Sequence, residues 1–187
     1  LTAGEIPLLA SRGVSVVHCP ESNLKLASGF CPIADLAAAG INIALGTDGA
    51  SSNNDLDMFG EMRSCALLAK GVAQRADAAP AATVLGMATL NGAKALGLGD
   101  RIGSLVTGKE ADVICVDLSA AATQPVYDPV SQLVYATSRD QVSDVWVAGR
   151  QLLADHQPLV ADAPAILARA ESWRARLSAA RGSVAHD

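Results

Sequence analysis

Apolar positions recur along this chain in two rhythms, and the rhythm changes near residue 100. Before that point short apolar runs alternate with stripes at helical spacing; after it short alternating runs dominate until a last helical stripe. Thr2-Ala3-Gly4-Glu5 has capping-box spacing, Ile6, Leu8 and Leu9 follow, and Gly13 is a natural stop, so a short helix is expected. Val14-Ser15-Val16-Val17-His18 reads as a β-branched strand ending in a polar turn, His18-Cys19-Pro20-Glu21-Ser22-Asn23. Pro32 opens a second helix over Ile33 to Ala39, closed by Gly40. Ile41 to Leu45 is the second strand. From Leu56 to Lys70 a stripe of Leu56, Phe59, Met62, Ala66 and Leu67 predicts a helix, with Asp55 and Asp57 at the end the dipole prefers. Met58 and Met62 read as core filler rather than metal ligands. Pro80 to Leu96 reads as one or two helices broken near Asn91-Gly92.

Helix, strand, helix, strand, helix with short connections is the rhythm of parallel βα units. Two strands cannot close a sheet, so this region is expected to be a fragment of a larger α/β layer. After Arg101 the pattern turns to β. Ile102 to Leu105, Ala111 to Leu118 and Val142 to Val147 read as strands, and Ala148-Gly149-Arg150 makes a hairpin turn into Gln151-Leu152-Leu153. Pro164 to Leu177 places Ile166, Leu167, Ala170, Trp173 and Leu177 on one helical face and predicts a terminal helix docked on the rest. The expected division is 1–100, 101–160 and 161–187.

Composition changes this picture little. Half of the 187 residues are hydrophobic, so a sizeable core is expected; aromatics are few (Phe30, Phe59, Tyr127, Tyr135, Trp146 and Trp173), so that core is aliphatic. A formal charge of −5 and the lack of a basic run argue against a nucleic-acid partner. No apolar run has membrane-spanning length, and no membrane partner is expected. Cys19, Cys31, Cys65 and Cys115 are widely spaced, as free, largely buried thiols of a cytoplasmic protein would be. His156 and His186 read as surface residues. The opening Leu1-Thr2-Ala3 lacks leader character, which suggests a piece of a longer polypeptide.

One stretch carries candidate chemistry. Leu45-Gly46-Thr47-Asp48-Gly49 puts an acid at the carboxyl end of a strand, where ligands and catalytic groups collect in α/β sheets. Gly46 and Gly49 leave room for a ligand or metal. On these residues alone, a carboxylate that merely orders its turn or caps the next helix stands as the alternative.

Four phrases in order widen the view: His18-Cys19-Pro20-Glu21-Ser22-Asn23-Leu24-Lys25-Leu26, Leu45-Gly46-Thr47-Asp48-Gly49 with Ser52-Asn53-Asn54, Met87-Ala88-Thr89-Leu90-Asn91-Gly92-Ala93, and Ile102-Gly103-Ser104-Leu105 with Gly108-Lys109-Glu110-Ala111-Asp112. Together with Tyr127-Asp128-Pro129 and Val145-Trp146-Val147-Ala148-Gly149, they make the chain resemble the amidohydrolase superfamily, in the branch of 5′-methylthioadenosine/S-adenosylhomocysteine deaminases and triazine hydrolases. The resemblance implies an α/β fold: the last two βα units of a (β/α)8 metal-dependent hydrolase barrel, then the carboxy-terminal part of a small β-sandwich. It implies that Asp48 binds the catalytic metal and accepts a proton from the attacking water. It puts His18, Ser22, Asn23, Ser52 and Asn53 around it, as supporting residues or substrate pocket. The metal implied is Zn²⁺, with Fe²⁺ or another divalent ion as alternatives.

The same resemblance implies a small-molecule substrate of adenosine type, a homo-oligomer, and the amino-terminal remainder of the barrel as a partner. Guanine deamination, triazine dechlorination or a non-catalytic binding module are the rival activities. The family's H-x-H pair, its further metal histidines and its glutamate proton shuttle have no counterpart in this sequence. A zinc site needs three or more protein ligands, so the chain by itself is expected to be inactive.

Overall fold

The computed structural model describes residues 1–2 and 4–184, with side chains through residue 180. In chain order, α1 (Glu5–Ser11) precedes β1 (Val16–His18), α2 (Pro20–Lys25) and α3 (Ile33–Ala38) lead to β2 (Ile43–Leu45), and α4 (Met58–Ala73), α5 (Ala81–Ala88) and α6 (Leu90–Ala95) follow. β1 and β2 pair in parallel with His18 level with Leu45. Both strands therefore release their following segments at one end of the sheet, and the Gly46 N–H, donating to the His18 carbonyl at 3.0 Å, extends the pairing past β2. β2 is buried throughout. Around it Ile33, Leu36, Ile41, Phe59, Met62, Cys65, Val84 and Met87 form an aliphatic core, so Met62 is core filler as its spacing predicts.

The second half adds β3 (Val113–Val116), α7 (Pro129–Tyr135), β4 (Val142–Val147), β5 (Arg150–Ala154), β6 (Gln157–Pro158) and α8 (Ala163–Val184). The four strands form an antiparallel sheet in sequence order, with Val147 opposite Arg150 across the expected hairpin. α7 has Asp128 as its cap, Oδ1 accepting from the Val130 N–H at 3.0 Å, and Pro129 in its first turn. Its Val134 is fully buried in the same core as β2. The Arg63 Nη2 donates to the Thr137 carbonyl at 2.8 Å, and Arg139 reaches Asp55, so the second half grips the segment that follows β2.

Several expectations change in the folded chain. Thr2 and Glu5 do interact, the Glu5 Oε2 accepting from Thr2 N at 2.7 Å, but the helix cap is Gly4, so the pair closes a turn ahead of α1. The cluster after β1 is a helix, α2, begun by Pro20 rather than a bare turn. Leu56 and Leu67 lie outside the buried stripe of α4, at 50% and 56% exposure. The break between α5 and α6 falls at Thr89, whose hydroxyl turns back to the Leu85 carbonyl at 2.7 Å. Ile102–Leu105 is a turn, not a strand. Gly103, at φ 86°, lies so close to α6 that a Cβ there would stand 2.7 Å from the Ala93 Cβ, and Lys109 Nζ ties down the Gly99 and Ile102 carbonyls.

The four thiols are all free, with Cys65 buried and Cys19 and Cys31 half-buried, but Cys115, in the middle of β3, is exposed. His156 is exposed as expected; His186 lies outside the described residues. The terminal helix forms without docking. Every described residue of α8 is exposed, including Leu167 at 69% and Leu177 at 60%. The Glu171–Arg174 pair and Arg176 over the Trp173 ring at 4.2 Å support it from within. Among the described residues no helix is long and apolar enough to cross a membrane.

Candidate active site

The site is built where the segments leaving β1 and β2 converge. Asp48 takes a left-handed backbone, φ 61°, which Asp and Asn tolerate better than most residues, and its side chain is exposed. Three donors hold the carboxylate. Ser22 Oγ from α2 and Ser52 Oγ from the following loop each donate to Oδ2 at 2.8 Å, and the Gly49 N–H donates to Oδ1 at 2.8 Å. Bonds from Ser52, Ser22 and Gly49 hold this carboxyl below its usual range, so it is ionised at neutral pH. With about four lone-pair sites on a carboxylate, Oδ2 is saturated and Oδ1 keeps one site free. Gly49 faces open space, but Gly46 serves packing: a Cβ there would stand 3.2 Å from Val17 Cγ1.

The remaining sequence-predicted residues divide. His18 is 5% exposed, its Nδ1 has no hydrogen-bond partner, and burial pulls its pKa down to about 4, so the imidazole is neutral at pH 7. It lines a small cavity with Asn23, Gly29, Phe30 and Cys31. Asn53 is turned inward, away from the Asp48 oxygens. Its Nδ2 donates to Glu61 Oε1, and its Oδ1 accepts from the Leu56 N–H at 2.8 Å.

Glu61 itself escaped the sequence reading. It lies on α4, fully buried, and its second oxygen accepts the Glu21 N–H at 3.2 Å. Burial pushes its pKa up to about 7, the nearby Glu21 carboxylate adding to the rise while bonds from the Glu21 N–H and Asn53 oppose it. The signal was available: Glu61 is an acid one helical turn before Cys65, inside the apolar stripe. Lys25 also closes the loop, its Nζ donating to the Ser51 carbonyl at 2.8 Å and Asn54 Oδ1 at 2.7 Å.

As a donor set for a divalent metal, the arrangement offers one ionised, exposed carboxylate with a free lone-pair site. No group of three or more His, Cys, Asp and Glu that could hold a metal gathers among the described residues. The carboxylate chemistry suits one position of a zinc site, and the described residues bring no second and third ligand to it.

A model of the amidohydrolase family matches residues 1–152. A 5-methylthioadenosine/S-adenosylhomocysteine deaminase of Teredinibacter turnerae is 53% identical over 180 residues, covering 96% of this chain and 41% of that protein. The crystal structure of an adenosine deaminase from Xanthomonas campestris with bound zinc superposes with a TM-score of 0.93 at 59% identity, over 96% of this chain and 41% of that one. An atrazine chlorohydrolase from Arthrobacter aurescens, complexed with zinc, superposes at 0.84 and 31% identity, over 92% and 38%. The chain thus spans about two-fifths of the length of the proteins it matches.

Proposed function

Because the chain belongs to the amidohydrolase family, we propose that it forms part of a zinc-dependent hydrolytic deaminase acting on an adenosine-type substrate, 5′-methylthioadenosine or S-adenosylhomocysteine. In this reading residues 1–100 are the last two βα units of a (β/α)8 barrel, 101–160 belong to a β-sandwich, and 161–187 form the terminal helix and tail. The other barrel strands and metal ligands come from sequence outside the 187 residues. The observation that carries the reading is the Asp48 carboxylate, ionised, exposed and held by three donors at the convergent ends of β1 and β2. The substrate class follows the deaminase relative at 53% identity in preference to the chlorohydrolase at 31%.

Zinc, when bound, supplies a Lewis acid that brings the pKa of a water to about 7. Asp48 would be one of its protein ligands, through Oδ1. The same carboxylate accepts the proton of the attacking water at Oδ2, where a site opens when the Ser52 hydroxyl turns to its other acceptor, the Gly49 carbonyl at 3.2 Å, and passes it towards the leaving ammonia. Ser22 and Ser52 fix the carboxylate plane by occupying Oδ2, which directs the free site of Oδ1. In this reading His18, neutral at pH 7 and buried at the end of β1, is a supporting residue rather than a ligand.

Asp48→Asn in the full-length protein tests this. Asparagine keeps the shape and accepts the left-handed backbone, so the fold is retained. Turnover should fall by about 10²–10⁴-fold for the lost proton transfer, with weaker zinc binding beside it. Near wild-type turnover with zinc supplied would overturn the assignment.

A further inference from the structure

The two serines that grip Asp48 come from different elements, and one buried carboxylate holds the residue next to each of them. Glu61 Oε2 accepts the N–H of Glu21, the residue before Ser22. Glu61 Oε1 accepts from the side chain of Asn53, the residue after Ser52. The Asn53 N–H donates to the Gly49 carbonyl at 2.8 Å, and the Ser52 hydroxyl reaches both that carbonyl and Asp48 Oδ2. Gly60 brings α4 against α2: a Cβ there would stand 3.0 Å from Glu21 Oε1, which also accepts from Ser64 Oγ at 2.9 Å. Glu61 touches neither Asp48 nor any open surface.

We propose that Glu61 is a positioning residue, a clamp whose two oxygens fix the spacing of Ser22 and Ser52 and so the direction in which Asp48 presents Oδ1. A buried acid in an apolar stripe costs stability, and the structure spends both of its oxygens on the two segments that aim Asp48. The inference rests on the reading of Asp48 as a metal ligand.

The donor pattern makes the test specific. Both partners of Glu61 are N–H donors, so Glu61→Gln leaves one acceptor and faces an amide NH₂ towards the other donor. Turning Asn53 over does not help, because its NH₂ would then face the Leu56 N–H. Asn53→Asp alone sets two carboxylates against each other. The double variant Glu61→Gln/Asn53→Asp restores both bonds. Its new carboxylate at position 53 accepts from the amide NH₂ at position 61 and from the Leu56 N–H, and the amide oxygen at position 61 still accepts from the Glu21 N–H.

In the full-length protein at pH 8, zinc affinity is read by competition with a chelator, and kcat and KM in parallel. Each single variant should lose about tenfold in zinc affinity and in kcat, with KM little changed, and the double variant should recover most of both. Failure of the double variant to recover beyond the singles overturns the clamp, whether or not the singles fold. Single variants that keep wild-type zinc affinity and kcat overturn it too. Asp48→Asn in the same assay reads the underlying assignment by itself: unchanged zinc affinity there sinks Asp48 as ligand, while the coupling between positions 53 and 61, read by denaturation, still reports whether the clamp exists.

Discussion

His18 and Glu61 are both buried and titratable, and they pull the stability of the fold in opposite directions with pH. The folded-state pKa of His18 falls from 6.5 to about 4 because burial disfavours the imidazolium. Between those values the unfolded chain binds the extra proton, so stability falls as pH falls through the window, by about 3 kcal/mol in all. For Glu61 the folded-state pKa rises from 4.5 to about 7, the folded chain binds the extra proton, and stability falls as pH rises through that window. His18→Asn should therefore gain on the wild type as pH is lowered from 6.5 to 4, while Glu61→Gln should gain as pH is raised from 4.5 to 7. Urea melts of the three proteins across pH 4 to 7.5 check both slopes. A His18→Asn difference independent of pH would mean that the imidazole is charged at no cost.

Among elements, the joint between α6 and β2 carries the site. Asn91 Nδ2 donates to the Ile43 carbonyl at 2.9 Å, and Asn42 Nδ2 donates to the Asn91 carbonyl at 3.0 Å. Asn91→Ala leaves the Ile43 carbonyl without this donor beneath the Asp48 turn, at a cost of about 1–3 kcal/mol; a denaturation midpoint equal to wild type would refute that pairing. Much of this layer was legible beforehand. The α4 stripe through Phe59 and Met62 and the alternation of Ile41 to Leu45 report burial directly, and Asp48 was marked by its place after a strand. Other parts were not legible for physical reasons. α7 is too short for periodicity to register, and only Asp128-Pro129 signals its start. Ile102–Leu105 has the composition of a strand, but the approach of Gly103 to Ala93 is a tertiary fact. Ser22 and Ser52 meet at Asp48 only because β1 and β2 are parallel and in register, and Glu61 joins them through packing of α2 on α4.

At the scale of the molecule, the 187 residues leave apolar surface without cover. Val17 on β1 is 56% exposed, and so are Ile166, Leu167, Trp173 and Leu177 along α8 at 53–69%. Expressed by itself, the chain should self-associate through the β1 edge and this helix, and it should not deaminate methylthioadenosine, for want of the other metal ligands. Sedimentation showing a monodisperse monomer would contradict the first expectation, and turnover by the pure chain the second. The cysteines give that same molecule an internal clock. Cys115 lies in the open, whereas Cys65 is wholly buried on α4 with its thiol pushed up to about 12. A small alkylating reagent would consume Cys115 at once, take the half-buried Cys19 and Cys31 on local opening, and reach Cys65 only when α4 leaves the core. The appearance of the fourth adduct then reports the rate of global opening, read by mass alone, with no dye attached and no residue changed.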